Sequence, residues 1–297
     1  MSDGILLVDK PQGLTSHDVV ARLRRHCRTR RVGHAGTLDP MATGLLVVGV
    51  GRATRLLTHL VGADKTYAAT IRLGQATLTD DAEGEVTASA GAVPGLDLEP
   101  ALAGLRGAIL QVPSSVSAIK VGGERAYARV RSGEDVRLEA RPVTVHRLEV
   151  TGAVARTAGD GTAVVDVDVV VECSSGTYVR AIARDLGESL GTGGHLTALR
   201  RTAVGPFHVE EARTLAEIAA ESAEAPPALT SMTDIATRCF PSLHLDDAAA
   251  AGVRVGRPVA EAPAEGLHAA LAPDGHLLAL VANRDGAARP VLVVDPA

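Results

Sequence analysis

The sequence predicts an α+β chain: one domain over residues 1–238, built on a mixed sheet with flanking helices, and a small β-rich unit over residues 239–297. Three observations carry this. Aliphatic and β-branched runs of strand length recur near 5–8, 45–48, 65–73, 143–154, 163–173 and 195–201. Helical periodicity stands between several of them, most clearly over 15–27 and 174–190. Beyond Phe240, short apolar runs are divided by Gly256, Gly266, Asp274-Gly275 and Asp285-Gly286, a pattern of short strands and tight turns. The length of 297 residues suits two domains, and 46% hydrophobic residues suffice for a sizeable core. Only five residues are aromatic, Tyr67, Tyr127, Tyr178, Phe207 and Phe240, so aliphatic side chains must fill that core.

Taken in order, Ile5-Leu6-Leu7-Val8 reads as a strand ended by Pro11 and Gly13. Thr15 and Asp18 then form a capping-box start to a helix that runs to about Cys27. Val19, Val20, Leu23 and Cys27 share its apolar face, with Arg22, Arg24, Arg25 and Arg28 on the other side and Arg30 and Arg31 beyond. These six arginines fall within ten residues that contain no acid, a pattern that points to a phosphate backbone. Residues 33–44, Gly-His-Ala-Gly-Thr-Leu-Asp-Pro-Met-Ala-Thr-Gly, form a loop in which Pro40 stiffens the chain just after Asp39. Read alone, it is an Asp-Pro turn with an Asx hydrogen bond.

Leu45-Leu46-Val47-Val48 reads as a buried central strand, and residues 52–61 as a helix. Gly49-Val50-Gly51 is followed by Thr54 where a dinucleotide fingerprint needs a third glycine, which excludes that reading. Residues 65–73 form a strand with Tyr67 and Ala69 on one face, 74–98 a polar loop or hairpin, and 99–109 a helix. Two strands follow over 143–154 and 163–173. Asp166 and Asp168 lie opposite a valine stripe and are expected to face solvent, not to form a paired-carboxylate site. A helix from about Ser174 to Leu190 ends at Gly191–Gly194 and brings Tyr178 and Arg180 to the sheet edge. A strand spans 195–201, and residues 216–229 read as a helix fading into a linker at Pro226-Pro227.

Net charge is −5, yet residues 1–70 carry ten Lys or Arg against five Asp, whereas 206–250 carry eight acids against two arginines. A basic face on an acidic body is expected. Cys27, Cys173 and Cys239 are widely spaced, which excludes a disulfide framework and a zinc motif and points to a reducing cytosol. The ten histidines show no metal-ligand spacing. No apolar run reaches the ~18 residues of a membrane span and the N-terminus has no leader pattern, so neither membrane nor export is expected.

Five separated motifs resemble the bacterial tRNA pseudouridine synthase B family over about two thirds of the chain. They are Leu7-Val8-Asp9-Lys10-Pro11-Gln12-Gly13-Leu14-Thr15-Ser16, the loop 33–44, Lys65-Thr66-Tyr67, Gly176-Thr177-Tyr178-Val179-Arg180, and the apolar-then-diarginine run ending at Arg200-Arg201. The resemblance implies the pseudouridine synthase fold, with a mixed, largely antiparallel central sheet, and a PUA-like RNA-binding domain at the C-terminus. The activity it implies is conversion of uridine 55 in the T-loop of tRNA to pseudouridine. By the same resemblance Asp39 is the nucleophile, Tyr67 stacks on the flipped base, Arg180 pairs with Asp39, His34 fills the gap that the base leaves, and Leu199 packs under it. Lys10, Lys65, Tyr178 and Arg200 join the substrate-binding set, with Arg24 and Arg25 on phosphates. Residue 114 is Ser where the family usually has a second proline.

The chemistry agrees with a lone carboxylate. Moving the sugar bond of uridine from nitrogen to carbon requires breaking a glycosidic bond and trapping the free base, work that an ionised acid can assist. No metal or organic cofactor is called for. The partner expected is the T-arm of tRNA, without guide RNA, for a stand-alone monomer in the cytoplasm. Two other classes remain open at this point. A non-catalytic RNA binder would use the arginine helix equally well, with Asp39 a plain turn residue. A small-molecule glycoside hydrolase would need a second carboxylate.

Overall fold

A computed structural model of the chain describes residues 3–114, 120–121, 124–125 and 138–296. Residues 115–119 and Tyr127 therefore lie outside the described residues.

Runs too apolar to face water on either side form the middle of the sheet. β1 (Gly4–Lys10) and β3 (Thr43–Val50) pair antiparallel from Gly4 opposite Val50 to Lys10 opposite Gly44. Leu6, Val8, Leu46 and Val48 pack on one side against Val19, Val20 and Leu23 of α1 (Ser16–His26). Ile5, Leu7, Leu45 and Val47 pack on the other against Phe207 and Ile235. α1 begins as predicted, with the Thr15 hydroxyl accepting from the Asp18 backbone N–H (3.1 Å) and the Asp18 carboxylate accepting from that of Thr15 (2.9 Å).

The segment read as loop contains a short strand, β2 (Val32–Ala35), that pairs with β3. The helix expected over 52–61 is divided into a 3-10 turn (Gly51–Arg55) and a single α-turn, α2 (Leu57–Leu60). β4 (Lys65–Leu73) follows, then a small hairpin of β5 (Ala76–Thr77) and β6 (Val86–Ala88). The helix expected over 99–109 is corrected. α3 (Glu99–Gly104) stops early, Gly107 takes a left-handed φ of +80°, and β7 (Gly107–Gln111) joins the sheet. Pairing with a long neighbouring strand satisfies the backbone of β7 where a further helical turn would need Gly104 and Gly107 in its interior.

After the two short strands β8 (Lys120–Val121) and β9 (Glu124–Arg125), the chain forms β10 (Arg141–Thr157), β11 (Ala163–Cys173), α4 (Val179–Ser189) and β12 (Gly194–Val204). β13 (Phe207–His208), β14 (Arg213–Thr214) and α5 (Leu215–Glu221) complete this part. The sheet has ten strands, in the order β14-β1-β3-β12-β4-β11-β10-β7, with β2 beside β3 and β13 beside β12. Its pairings are antiparallel except β1 with β14 and β3 with β12. Asp168 is exposed, as expected, but Asp166 is not: it is buried and paired with Arg72 (2.7 Å) opposite it on β4 and with Arg156 (3.0 Å). Neighbouring strands supply both arginines, so a period-two reading of one strand could not see them.

The β-rich unit is a four-stranded sheet of β15 (Ser242–His244), β16 (Leu267–Leu271), β17 (Leu277–Arg284) and β18 (Ala287–Val293). It also carries the helix α7 (Asp247–Arg254), capped by Asp246, which the sequence reading lacked. α6 (Met232–Cys239) precedes it, so the boundary expected after residue 238 falls in that helix's last turn. Leu56 and Ala236 share a core with Ala269, Leu271, Leu277 and Leu280, and the two sheets are thereby joined through buried apolar surface. Among the described residues no helix is long and apolar enough to cross a membrane.

Gly44 sits at φ +99° where β3 meets β12, and a methyl group there would lie 2.3 Å from the Arg201 carbonyl oxygen. Gly44→Ala should therefore destabilise the fold by on the order of 3 kcal/mol. Its urea midpoint is the check, and an unchanged midpoint would mean that the two strands part at little cost.

Candidate active site

Three segments converge beside β4 and β12. The first is the loop that carries Asp39. The Ser16 hydroxyl, at the start of α1, accepts from the Leu38 N–H (2.9 Å) and donates to the Leu38 carbonyl (3.2 Å). The Pro40 carbonyl accepts from the Gly13 N–H (2.8 Å), and the Asp39 carbonyl from the Ala42 N–H (3.1 Å). The loop is thus tied to the β1–α1 connection on both sides of Asp39.

The second is the first turn of α4. Tyr178 precedes it, and its backbone is clasped by the Gln111 side chain, which accepts from the Tyr178 N–H (2.8 Å) and donates to the Tyr178 carbonyl (3.1 Å). Arg180, 5% exposed, then reaches Asp39 through Nε (3.0 Å). The third is the turn at 79–83. Arg180 Nη1 donates to the Thr79 carbonyl (2.9 Å) and pairs with Asp81 Oδ2 (3.3 Å), and Asp81 accepts from the Thr79 hydroxyl (2.5 Å) and the Glu83 N–H (3.0 Å). One buried guanidinium therefore bridges two carboxylates. The Asp81 side chain is 3% exposed and that of Asp39 38%, so Asp39 is the one that a substrate can reach.

These groups border a cavity of about 250 Å³ with Leu38, Tyr67, Leu199 and Val179 on its apolar side. Burial pushes the Tyr67 phenol up from its ordinary value, while the Arg201 charge pulls the other way, so the phenol is neutral near pH 7. Lys65 donates to the Val61 (3.0 Å) and Ala63 (2.6 Å) carbonyls, and burial lowers its pKa to about 8. A carboxylate held by arginine at one side of a partly apolar slot suits a planar ring with a polar group at the acid.

Residues 24–179 match the N-terminal domain of the TruB family of pseudouridylate synthases. The chain belongs to this family. Residues 180–232 match the C-terminal domain of tRNA pseudouridylate synthase B, and residues 240–295 the C-terminal region of tRNA pseudouridine synthase II. A protein of Arthrobacter sp. (strain FB24) named tRNA pseudouridine synthase B is 59% identical over 307 aligned positions, covering 100% of this chain and 98% of that one. Its namesake in Thermobifida fusca (strain YX) is 55% identical, covering 99% of each. Among solved structures, a chain of a Cbf5-Nop10-Gar1 complex aligns with a TM-score of 0.72 at 25% identity, covering 99% of this chain and 85% of that one. A chain of an H/ACA RNP bound to a substrate RNA containing 2′-deoxyuridine aligns with a TM-score of 0.71 at 26% identity and the same coverage. As a TruB-family member the chain is an enzyme, a pseudouridine synthase.

Of the residues singled out from sequence, Asp39, Lys65, Tyr67, Tyr178, Arg180 and Leu199 line this one cavity of the TruB-family domain. The others lie elsewhere. Lys10 is fully buried, and its ammonium is spent on the carbonyls of Leu14 (2.7 Å), Pro11 (3.1 Å) and Pro40 (3.4 Å), which makes it a brace for the loop and not an open phosphate ligand. Arg200 pairs twice with Asp9 (2.7 and 3.0 Å) and borders a second cavity of about 590 Å³ with Arg22 and His26. His34 lies edge-on to His17 at 5.6 Å with its Nδ1 buried and unpartnered. Arg24 and Arg25 are exposed in the last turn of α1. Sequence reading missed Asp81 and Arg201. The only signal for either was Arg201 itself, the second arginine of the diarginine run.

Burial lowers the Lys10 pKa to about 8 from 10.5, so the unfolded chain holds this proton more tightly than the folded one. The contribution of Lys10 to stability is complete above 10.5 and is lost as pH falls through about 8. Between pH 7 and 10, wild type should gain up to about 3 kcal/mol relative to Lys10→Met, read from paired denaturant titrations. A difference independent of pH would show that the ammonium is not desolvated.

Proposed function

We propose that this enzyme isomerises uridine 55 in the T-loop of tRNA to pseudouridine, alone and without guide RNA, with Asp39 as nucleophile. The observation that carries the reading is the Asp39–Arg180 pair, a reachable carboxylate held by a buried arginine at the mouth of a partly apolar cavity. The substrate class is supported by the names of relatives that match over nearly their full length at 52–59% identity. Position 55 and the aspartate's role come from the resemblance of the 33–44 loop and the 176–180 motif to the family.

In the reaction the N1–C1′ bond breaks, the base turns in place, the C5–C1′ bond forms, the C5 proton leaves and N1 gains one. A carboxylate that attacks sugar or base, or that assists elimination, must be fixed in angle, and the Arg180 pair supplies that condition. A uridine in folded RNA must also leave its stack, and Tyr67 and Leu199 offer the apolar surface that receives it. The C-terminal unit is assigned to RNA binding, because the motif-bearing residues all precede it.

Purified protein with an unmodified tRNA transcript and no added cofactor should yield pseudouridine at position 55 when the product is mapped. Product only at other positions, or a requirement for metal or guide RNA, would overturn the proposal. Asp39→Asn should abolish turnover while leaving tRNA affinity within about threefold, since most affinity comes from phosphates and RNA shape. Loss of folding or binding with that variant would make Asp39 a turn residue, and residual turnover would move the nucleophile elsewhere.

Arg24 and Arg25 make no ion pair among the described residues and stand exposed on α1. Replacing both with Gln should reduce the slope of log affinity against log salt by roughly two units. An unchanged slope would leave them as a solvated face.

A further inference from the structure

Lys65 is 7% exposed and, among the described residues, makes no ion pair with a carboxylate. Asp64, the acid beside it in the chain, pairs with His146 instead (3.2 Å). The Lys65 ammonium donates to the carbonyls of Val61 (3.0 Å) and Ala63 (2.6 Å), which belong to the turn between α2 and β4. An ammonium carries three donors, so one remains. A methyl group added at Gly36 would lie 3.6 Å from Lys65 Cε, so the tip of the side chain lies under the loop that carries Asp39, at the cavity that both residues line. Burial, with Arg201 close by, brings the Lys65 pKa to about 8, and most of the ammonium is still charged at pH 7. The turn itself does not need this cation. Val61 is exposed, and its carbonyl already accepts from the Ser175 hydroxyl (2.8 Å). A buried charge without an acid costs the fold stability, and a methionine would fill the space without that cost. What the ammonium can still serve is the cavity.

Lys65 and Tyr67 stand two residues apart on β4, hence on one face and about 7 Å from each other along the strand. A base that lies flat against the Tyr67 ring therefore turns its edge, with its carbonyl oxygens, toward the strand neighbours of Tyr67. We infer that Lys65 is a further catalytic residue, whose third N–H donates to a ring carbonyl oxygen of the uracil held in the cavity. The inference rests on the function proposed above. When the N1–C1′ bond breaks, the bonding pair stays with the base, and its negative charge spreads onto the ring carbonyls. The base then attacks C1′ through C5 with that pair, the C5 proton leaves and N1 takes one up. Lys65 keeps its own proton throughout and acts by charge. An ammonium fixed beforehand in a partly apolar slot stabilises the anionic base more than the neutral one, which lowers the barrier instead of only strengthening binding.

The test pairs a change in the full-length enzyme with a change in the substrate. Lys65→Met should slow the single-turnover rate at saturating tRNA by about tenfold or more, with tRNA affinity within about threefold of wild type. Sulfur in place of a carbonyl oxygen, as 2-thiouridine or 4-thiouridine at the target position, weakens the acceptor. For one of these two substrates, the ratio of the oxygen rate to the sulfur rate should be at least about fivefold larger in wild type than in Lys65→Met, where the donor is gone. Equal ratios for both analogues would overturn the inference and leave Lys65 as a brace for the turn. Lost affinity with an unchanged rate would overturn it too and move the ammonium to a phosphate, as would a wild-type rate and affinity for Lys65→Met. Should Lys65→Met fail to fold, Lys65→Gln, which can still donate to the turn carbonyls, goes through the same comparison with the same criterion. Wild-type enzyme that makes no pseudouridine in tRNA would instead sink the functional reading, an outcome distinct from equal ratios.

Discussion

The site depends on one buried guanidinium between two carboxylates. Arg180 comes from α4, Asp39 from the loop after β2, and Asp81 from the turn after β5. A cation this buried must be paired, and breaking one side of such an arrangement leaves a charge stranded in a poor solvent. Helix, loop and turn are consequently held in mutual register by the demand for neutrality. The two acids also divide the work. The inner one offsets the arginine where water cannot reach, and the outer one keeps a face turned to the cavity.

A second constraint runs alongside it. Lys10, Lys65 and Arg201 are all buried, and carbonyl oxygens of the Asp39 loop and its neighbours bind them. Carbonyl dipoles stabilise a cation without cancelling its charge. The region behind the cavity thus holds three basic side chains inside a chain whose net charge is −5.

Much of this was legible in the sequence where the information is local. Asp39, Tyr67 and Arg180 sit in motifs that the resemblance to the family singled out, and the structure brings the three to one cavity; the capping box at Thr15 and the strand over 65–73 follow from spacing alone. What escaped is nonlocal. Asp81 looks like an ordinary turn acid until Arg180, about a hundred residues later, is packed against it. Lys10, placed in the substrate-binding set by the resemblance, has its ammonium covered by the Asp39 loop, which only the fold brings to it. Asp166 reads as solvent-facing because its arginines arrive on other strands. The false helical extension over 105–109 has the same origin: β7 is made by its pairing with β10, and the segment's own pattern is ambiguous. The helices α6 and α7 were missed for a different reason: each is only eight residues long, too short for a periodic pattern to stand out in the sequence.

The aliphatic character of the core has an optical consequence. The chain has no tryptophan and three tyrosines, and two of those, Tyr67 and Tyr178, line the cavity. Intrinsic ultraviolet emission from this protein therefore originates largely at the place where the substrate is expected to stack. Occupancy of the cavity by a nucleobase can be followed as quenching of that emission, in unlabelled protein.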